Sequence, residues 1–349
     1  MRLVFVHYVY EDRGSAQDLD NYCRVARTLG HEVVVYGPPD AGSFEYSSAI
    51  GTADAVIFIF EWTTALQRGD QLDWIRLVGR VPRSRRVVID CDGKYNEAIS
   101  VVGDYNHSTD AAAREWMEAC DSLSDKIGQP TLHPLKSNVR TFFFHAYNPT
   151  WERPLDFDAK KYGMCYVGNN WFRWGPMRRV LEALEPIRRD VGPIALTGYG
   201  WDSAPPWANP TLIEAAYEND PEYLRRLDIE VRPPIHFDRV IDAMGEGLFT
   251  PVIYRPLFDH LRLVTCRTFE TIAASTISLF GFDAAFAAEV YGPTAVELVL
   301  PPERPQDKVL DVVARPGYYA GIVADLRRHL AVHHSYAARL QQLLDLAAA

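Results

Sequence analysis

Short apolar runs alternate with stretches of helical periodicity along most of the chain. The run at 2–10 is apolar and rich in β-branched and aromatic residues. After Ser15, apolar residues recur three and four positions apart until Gly30, a spacing that predicts a helix with one buried face. A second apolar run follows at 31–37. Two continuous apolar strands joined by a helix indicate a βαβ unit within a parallel sheet.

The same alternation continues through the first half of the chain. It predicts helices at 66–81 and 111–124, and strands at 53–62, 85–93 and 139–147. Together these elements indicate one doubly wound domain over residues 1–150.

A second domain is predicted after a segment at 148–161, which contains two prolines and several charges but no period. The following apolar runs predict strands at 162–169, 193–200, 229–235, 250–256, 277–282 and 295–301. Helical spacing lies between them at 176–191, 221–229 and 237–247, and resumes at 318–346. We expect an α/β fold of two Rossmann-like domains facing a central cleft, with a second domain at 151–320 and a helical tail at 321–349.

Composition narrows the classes of function. Hydrophobic residues make up 48% and charged residues 23% of the 349 residues, as in soluble globular proteins. The formal net charge is -10, so we expect no nucleic-acid partner, since such proteins are more often basic. The five cysteines are scattered without a CxxC pair, which argues against a zinc ribbon or a disulfide scaffold.

The sequence predicts no targeting or membrane segment. The apolar run at the N-terminus is too short for a signal peptide and fits a first strand. No run reaches the length of a membrane span, so we expect a cytoplasmic protein.

Two predicted strand ends in the second domain carry candidate ligand-binding loops. The first strand is followed by Gly168, two asparagines (Asn169 and Asn170) and Arg173, at the start of a helix. A guanidinium at a helix N-terminus is a natural anion site, although an ordinary Gly-Asn turn with a solvated arginine explains the pattern equally well. The next strand ends in Gly198, Gly200 and Trp201, a short glycine loop that lets a ligand approach the backbone.

A later stretch of the second domain combines charges with a predicted helix start. The sequence "CRTFETIAAST" contains Arg267, Thr268, Phe269 and Glu270 before a run of small residues. Arg267 at the helix mouth would bind a diphosphate, and Glu270 could accept both hydroxyls of a ribose. The alternative is that Glu270 only complements the helix dipole. Arg255, at the end of the preceding strand, is a further candidate.

The first domain offers fewer candidates. Asp90 and Asp92 lie at the end of a predicted strand with the spacing of a metal-binding pair. They could instead form a wall of the acceptor site, supply a general base, or be an ordinary polar strand end. His145, near the domain junction, could shuttle a proton or satisfy the backbone at a hinge. Gly14 and Ser15 form a thin, polar loop after the first strand and are the candidates on the acceptor side.

These motifs resemble the GT-B glycosyltransferases, with CgeB-like (spore-maturation type) and family-4-like members as the closest. The specific similarity lies in 167–173, 196–201 and 267–270, and "LGHEVVVYG" is similar to a segment of many GT-B N-terminal domains. The resemblance implies transfer of a sugar from a nucleotide diphosphate sugar to a hydroxyl acceptor, without a metal or other cofactor. It implies that the C-terminal helix crosses back to the first domain. It also implies donor-binding roles for Gly168, Asn169, Asn170, Arg173, Gly198, Gly200, Trp201, Arg255, Arg267, Thr268, Phe269 and Glu270, and catalytic roles for Asp92 or His145.

The sequence departs from the family-4 pattern at one position. Many retaining members carry two glutamates separated by seven residues, and Arg262 stands where the first would precede Glu270. The sequence therefore gives no support for a retaining mechanism. A nucleotide-sugar epimerase and a non-catalytic nucleotide- or sugar-binding module are the alternatives. A NAD-dependent oxidoreductase is disfavoured, because no G-x-G-x-x-G follows the first strand.

Overall fold

The structure is a computed structural model that describes residues 1–7, 14–36, 49–60 and 80–348. The strands of the first half are β1 Arg2–Val6, β2 Glu32–Tyr36, β3 Ala55–Phe60, β4 Arg86–Asp90, β5 Ser100–Val101, β6 Asp104–Tyr105, β7 Ile127–Gln129 and β8 Val139–Thr141. Its helices are α1 Gly14–Thr28 and α2 Asp110–Leu123. Six strands pair in the order β2-β1-β3-β4-β7-β8, all parallel, and β5 and β6 form a separate antiparallel hairpin.

The second half builds another parallel sheet. Its strands are β9 Tyr162–Val167, β10 Ile194–Thr197, β11 Ile229–Arg232, β12 Gly247–Val252 and β13 Ile277–Phe280. The helices are α3 Trp174–Leu184, α4 Arg188–Val191, α5 Pro210–Ala216, α6 Pro221–Arg226, α7 Val240–Gly245, α8 Pro256–His260, α9 Cys266–Ala273, α10 Ala284–Tyr291 and α11 Pro305–Ala314. The order β11-β10-β9-β12-β13 is that of a Rossmann half-sheet.

Burial on both faces of the sheets explains their continuous apolar sequences. Every residue of β3, β9, β10 and β13 is buried. In a parallel sheet the connecting helices cover both faces, so the strands do not alternate with polar residues. The predicted α/β class with parallel sheets is confirmed.

The chain ends in two helices that belong to different cores. Helix α12, Pro316–His333, packs into the second core through Leu326 and Leu330. Helix α13, Tyr336–Ala348, packs into the first core through Leu340 and Leu343. The C-terminal helix therefore crosses back to the first domain, as the resemblance implied. The boundaries 1–150, 151–320 and 321–349 stay predictions.

The segment between α12 and α13, where the chain crosses back, is hydrogen-bonded to the end of the first domain. The backbone N–H of Tyr147 donates to the carbonyl oxygen of His334 at 2.8 Å, and Tyr147 also pairs with Ser335 in an isolated bridge. The two chain segments that connect the domains therefore run side by side. No helix within the described residues is long and apolar enough to cross a membrane.

Several sequence-based boundaries are wrong. The strand predicted at 295–301 is a 3-10 helix, Pro293–Leu298, with one bridge from Phe280 to Val299. Pro293 has no N–H to offer a sheet, and proline suits the first helical position. The strand predicted at 139–147 ends at Thr141: the Phe142 N–H still donates to Gln129, but the apolar side chains that follow fill the core outside a regular strand, up to the isolated bridge at Tyr147. The helix predicted at 66–81 lies almost wholly outside the described residues.

Candidate functional site

The loops after β9 and β10 touch each other through glycine backbone. Because the two strands are parallel neighbours, their carboxyl ends lie at one edge of the second sheet. Gly198 has φ +138°, and a Cβ placed on it would lie 2.5 Å from the carbonyl oxygen of Gly168. A side chain at this position would collide with backbone, so glycine is required. The two loops form one continuous surface.

Buried side chains hold these loops in place. The amide of Asn170 donates to the carbonyl oxygens of Gly200 at 2.8 Å and Glu218 at 2.7 Å. The indole N–H of Trp201 donates to the carbonyl oxygen of Gly168 at 2.8 Å. Asn170 and Trp201 are completely buried. Both therefore shape the loops from within and offer no exposed side-chain surface to a ligand.

Arg267 brings the start of α9 against the same surface. Its Nη2 atom lies 3.2 Å from the point where a Cβ on Gly168 would sit. Helix α9 begins at Cys266, with Thr265 before it, so the helix starts one residue before Arg267, which the sequence placed at the helix mouth. Arg267 therefore lies in the first turn of α9, next to the loop after β9.

Three guanidinium groups share this edge of the sheet. Arg173 directly precedes α3, and its Nη1 atom donates to the carbonyl oxygen of Asn169 at 3.1 Å. Burial lowers the pKa of Arg173, and the positive charges of Arg267 and Arg255 lower it further. Tyr166 raises this pKa. No carboxylate in the described part of the chain forms an ion pair with Arg173. Uncompensated positive charge before a helix suits a phosphate.

Asn169 differs from Asn170 in being exposed at the loop surface. Its Oδ1 atom accepts the backbone N–H of Tyr199 at 2.9 Å, which ties the two loops together a second time. Of the two asparagines, Asn169 is the one whose side chain a ligand could reach.

Glu270 lies beside Arg267 with hydrogen-bonding capacity left over. Arg267 Nη1 and Glu270 Oε2 are 3.4 Å apart, and neither atom has a hydrogen-bond partner within the described structure. The Glu270 side chain is only 6% exposed. Burial raises the pKa of Glu270, and the charge of Arg267 opposes this rise. A buried carboxylate oxygen without a donor is costly unless a ligand supplies one.

Two residues of the first domain lie within electrostatic range of Glu270. The charge of Asp18 raises the pKa of Glu270, and the charge of His145 lowers it. His145 Nδ1 lies 2.8 Å from Asp18 Oδ2, and the two side chains are 9% and 4% exposed. The sequence reasoning identified His145 but missed Asp18. The available signal was its position beside Leu19 and four residues before Tyr22, on the apolar face of the predicted helix.

The candidates for the acceptor side lie in a helix. Helix α1 begins at Gly14, so Gly14 and Ser15 occupy its first turn and not the polar loop that the sequence predicted. A first helical turn is often polar, and the spacing of apolar residues does not detect it. Residues 8–13, which precede it, lie outside the described ranges. An acceptor-side role for Gly14 and Ser15 stays a prediction.

Arg255 is engaged by the first domain. Its Nε atom donates to Asp104 Oδ2 at 2.9 Å, and the backbone N–H of Leu257 donates to the same oxygen at 2.9 Å. Asp104 is completely buried, and the Arg255 guanidinium lies over the ring of Phe258 at 4.6 Å. Arg255 therefore adds charge to the arginine group, but a direct contact with a donor would require its ion pair to open.

Thr268 and Phe269 point into the core. Thr268 Oγ1 lies 3.2 Å from the hydroxyl of Tyr254 and 3.1 Å from that of Tyr291. Phe269 is completely buried. Only the backbone of these two residues could contact a donor.

Asp90 builds the turn at the end of β4. Its two oxygens accept the backbone N–H groups of Tyr95 at 2.7 Å and Lys94 at 3.0 Å, and the Gln129 amide at 2.8 Å. The N–H of Asp92 also points to Asp90, at 3.3 Å. Asp90 is therefore occupied as a structural acceptor. The described residues contain no group of three or more His, Cys, Asp or Glu that could hold a metal ion.

Asp92 is half-buried where this turn meets the second domain. A Cβ on Gly93 would lie 2.6 Å from Leu261, so the turn packs directly against the segment before α9. Burial lowers the pKa of Lys94, and the positive charge of Arg255 lowers it further. The negative charge of Asp92 raises this pKa. Asp92 therefore lies within the electrostatic reach of the charges that line the domain boundary.

A cavity of about 720 Å³ lies between the β5–β6 hairpin and the second domain, and Arg173, Arg255 and Arg267 are not among its lining residues. Val101 and Val102 of the β5–β6 hairpin line it from the first domain, and Phe172, Ile253 and Tyr254 line it from the second. Its volume falls within the range of pockets that hold small molecules and cofactors.

The fold places the chain in a known structural class. Two Rossmann-type parallel sheets, with a C-terminal helix that returns to the first domain, define the GT-B fold of glycosyltransferases. Solved structures of this class align with nearly the whole chain. An α-glucosyltransferase in complex with UDP-glucose and DNA containing an abasic site matches with 12% identity and a TM-score of 0.70, over 100% of this chain and 99% of its own.

A phage T4 β-glucosyltransferase in complex with its UDP-glucose substrate is similar at 12% identity and a TM-score of 0.60, over 99% of both chains. The same T4 enzyme in complex with UDP and Mn²⁺ matches at 11% identity and a TM-score of 0.60, again over 99% of both chains. At such identities the likeness shows the fold alone. No protein-family model and no curated protein matches the chain.

Proposed function

We propose that the protein is a glycosyltransferase that moves a sugar from a nucleotide diphosphate sugar to a hydroxyl acceptor. The observation that carries the proposal is the arginine group at the carboxyl edge of the second sheet. Arg173 and Arg267 meet there at two helix N-termini, against a surface made of glycine loops. That arrangement fits a diphosphate, and the GT-B structures that match the chain hold UDP-glucose.

The proposed chemistry follows from where charge develops. When the bond between the sugar and the diphosphate breaks, negative charge grows on the departing phosphate oxygen. Arg173 and Arg267 stabilise that charge from positions fixed by the fold, so no reorganisation is needed when the bond breaks. Glu270 accepts the two vicinal ribose hydroxyls, which supply the donors that its buried oxygen lacks.

Asp92 is the general base that we favour. It is half-buried at the domain boundary, where an acceptor hydroxyl can arrive from solvent. His145, the other candidate, is 9% exposed and already paired with Asp18, which leaves less room for an incoming acceptor. In an inverting reaction Asp92 would take the acceptor proton while the acceptor oxygen bonds to the anomeric carbon.

Metal independence is part of the proposal. The arginines and the helix N-termini supply positive charge where a metal-dependent enzyme uses a divalent ion. Asp90 has its oxygens occupied by the turn it builds. EDTA should therefore leave turnover unchanged. Strong inhibition by EDTA, restored by Mn²⁺, would contradict this part of the proposal.

We further propose a relationship to the family-4-like and CgeB-like glycosyltransferases, on the basis of the Arg-x-Phe-Glu motif at 267–270. Arg262 pairs with Asp283 at 3.1 Å, so the position that would carry a first glutamate has a surface role instead. The motif therefore supports the donor site and gives no support to a retaining mechanism.

The acceptor is proposed only as a hydroxyl group. The net charge of -10 argues against broad contact with a phosphate backbone, and the absence of a nucleic-acid partner stays a prediction. DNA nevertheless belongs among the acceptors to test, since matching structures hold DNA with an abasic site or with an HMU base.

Turnover of UDP-glucose tests the proposal. The protein is incubated with UDP-glucose and a panel of acceptors that includes sugars and HMU-containing duplex DNA, and UDP release and glucosylated product are measured by chromatography and mass spectrometry. We expect acceptor-dependent UDP release. Conversion of the sugar without transfer would indicate an epimerase, and binding without turnover would favour a non-catalytic module.

The general base is tested by Asp92→Asn, with Glu97→Gln as the matched control. Glu97 is an exposed acid five residues further along the same turn region. We expect Asp92→Asn to lower kcat by about 100-fold or more with unchanged UDP affinity, and Glu97→Gln to leave both unchanged. If Asp92→Asn keeps full activity, Asp92 is not the general base.

A further inference from the structure

Two large aromatic side chains are exposed next to each other on the loop that follows β10. Trp207 is 55% exposed and Tyr199 is 37% exposed. Their ring centroids lie 6.3 Å apart, with the rings nearly perpendicular. Single exposed apolar residues are ordinary, whereas adjacent ones are typical of binding surfaces. This pair, Tyr199 and Trp207, is the aromatic platform.

A proline turn fixes the position of Trp207. The backbone N–H of Ala208 donates to the carbonyl oxygen of Pro205 at 3.0 Å, which closes a four-residue turn. Pro206 and Trp207 occupy its two central positions, and proline favours the first of these because its φ is already fixed. Pro205, which begins the turn, is buried. The Trp207 ring is therefore held at the surface before a ligand arrives, which reduces the entropy lost on binding.

The platform adjoins the loops that form the proposed donor site. Tyr199 directly follows Gly198, whose backbone touches Gly168, and the Tyr199 N–H donates to Asn169 Oδ1 at 2.9 Å. On its other side, ring contacts lead from Trp207 to the first domain. With centroids 5.1 to 5.7 Å apart, they pass in turn through Tyr217, Trp171, Phe172 and Tyr105. The platform therefore lies between the donor loops and solvent, and it is connected to the domain boundary.

The charge around the platform disfavours a polyanionic ligand. Residues 199–224 contain no lysine or arginine but five acids, namely Asp202, Glu214, Glu218, Asp220 and Glu222. Of these acids, only Asp220 forms an ion pair within the described residues, with Arg178 at 3.2 Å. Bases of DNA also stack on aromatic rings, but DNA binding requires lysines or arginines along the phosphates.

A neutral saccharide matches the same surface. The apolar face of a sugar ring stacks on an aromatic ring without needing a positive charge. Its hydroxyls can donate to carboxylates and can accept from the indole N–H of Trp207 and the hydroxyl of Tyr199.

We propose that the aromatic platform binds the acceptor, and that this acceptor is a neutral saccharide. The inference rests on the proposed transferase function, and it narrows the acceptor from any hydroxyl compound to a class that excludes DNA. The donor is anchored by its phosphates at the arginine group, so the exposed rings beside it serve the second substrate. Trp207 contributes its ring face to binding and takes no part in proton transfer.

Binding to an array of immobilised ligands tests the ligand class. The fluorescently labelled full chain, with UDP present, is applied to neutral oligosaccharides, acidic oligosaccharides and HMU-containing duplex DNA. We expect binding to neutral oligosaccharides alone, with equal signals at about 50 and about 200 mM salt, since no counterions are released. Binding to DNA or acidic saccharides alone, a signal that falls steeply with salt, or no binding at all would overturn the proposal.

Variants then test the platform itself. Calorimetry measures the affinity for the neutral saccharide that binds the array most tightly, and the affinity for UDP. We expect Trp207→Ala to weaken saccharide binding by about tenfold or more and to leave UDP binding unchanged. Trp207→Phe, which keeps an aromatic face, should stay within about threefold. Equal weakening of both ligands in Trp207→Ala, or of neither, would overturn the role of the platform.

Tyr318→Ala is the matched control for Trp207→Ala. Tyr318 is 49% exposed on α12, and its ring contacts Tyr319. Its removal takes away an exposed aromatic ring of similar accessibility outside the loop after β10. We expect Tyr318→Ala to match the unaltered protein in both affinities. A loss of saccharide affinity equal to that of Trp207→Ala would show a general effect of losing an exposed ring, and would overturn the assignment.

The outcomes distinguish this inference from the proposed function. If the unaltered protein binds no UDP, the transferase function fails, and the acceptor role with it. If UDP-glucose is turned over with DNA as acceptor, or only with compounds other than neutral saccharides, the transferase function survives and the neutral-saccharide acceptor is overturned.

Discussion

At the scale of single residues, the site is defined by an ion pair whose hydrogen-bonding capacity the described protein does not fill. Arg267 and Glu270 lie 3.4 Å apart, and each keeps a buried atom without a hydrogen bond in the described structure. A buried ion pair offsets its desolvation only when the remaining lone pairs and protons are satisfied. The missing partners point to a ligand that supplies hydroxyls to Glu270 and phosphate oxygens to Arg267.

The glycine contact between the two loops gives the first prediction. In Gly198→Ala the new Cβ would lie 2.5 Å from the carbonyl oxygen of Gly168, and neither backbone can move aside without shifting a strand end. We expect a loss of about 2–4 kcal/mol in unfolding free energy and at least a tenfold loss of UDP affinity.

Gly192→Ala is the control for Gly198→Ala. Gly192 also has positive φ, +81°, but a Cβ there would meet nothing within 4 Å. This variant should cost about 1–3 kcal/mol of stability, because its φ of 81° and ψ of -161° are adopted readily only by glycine, and it should leave UDP affinity unchanged. Equal effects of the two substitutions, measured by chemical denaturation and calorimetry, would show that the contact between the loops is unimportant.

At the scale of elements, the crossing between α12 and α13 contains a buried histidine. His334 is stacked on Phe143, and Arg339 Nη2 donates to its Nδ1 at 2.5 Å. Burial, followed by the charge of Arg339, lowers the pKa of His334 to about 3. Between about pH 3 and pH 6.5, His334 therefore stays largely neutral in the folded protein, whereas the unfolded chain binds a proton there.

This histidine makes the crossing sensitive to acid. Because the folded-state pKa lies below the unfolded value of 6.5, its contribution to stability is complete above pH 6.5 and is lost as pH falls towards about 3. At pH 4 the loss should be about 3 kcal/mol. His334→Gln, which keeps an acceptor for Arg339 but does not titrate, should remove that part of the pH dependence in urea denaturation.

His236→Gln is the control for His334→Gln, since His236 is exposed and paired with Asp238. It should reproduce the pH dependence of the unaltered protein. An unchanged acid sensitivity in His334→Gln would show that other groups determine it.

The sequence predicted elements better than their ends, and the donor side of the site better than the first-domain side. Helix α9 and the loops after β9 and β10 carry local signals, namely an Arg three residues before a Glu and glycines at strand ends. Asp18 carries only a weak signal, an acid on the apolar face of α1, and Tyr336 carries none, because their contact joins residues more than 300 positions apart. The segment at 295–301 had the composition of a strand, but Pro293 started a 3-10 helix there.

At the scale of the whole molecule, the two domains are joined by a buried ion pair and an exposed one. Asp104 of the β5–β6 hairpin is completely buried against Arg255 at the start of α8. His133 and Glu289 form an ion pair across the same boundary at 2.9 Å, with side chains 54% and 39% exposed. Only the buried pair should contribute strongly to the contact between the domains.

The comparison of these two pairs is testable. Asp104→Asn leaves Arg255 without its carboxylate beside Arg173, and we expect a destabilisation of about 3 kcal/mol. Glu289→Gln should cost less than about 1 kcal/mol. Thermal unfolding followed by fluorescence measures both. A harmless Asp104→Asn would show that the ion pair does not hold the domains together.

The central claim is that Arg267 binds the diphosphate of a nucleotide sugar, and calorimetric titration of UDP tests it most directly. Arg304→Ala is the control, because Arg304 is an exposed arginine of the second domain, 71% accessible and paired with Asp307. We expect UDP to bind the unaltered protein and Arg304→Ala equally, and Arg267→Ala at least tenfold more weakly, as the loss of a charged hydrogen bond of about 1.5–3 kcal/mol requires. Equal binding of UDP to Arg267→Ala would contradict the claim.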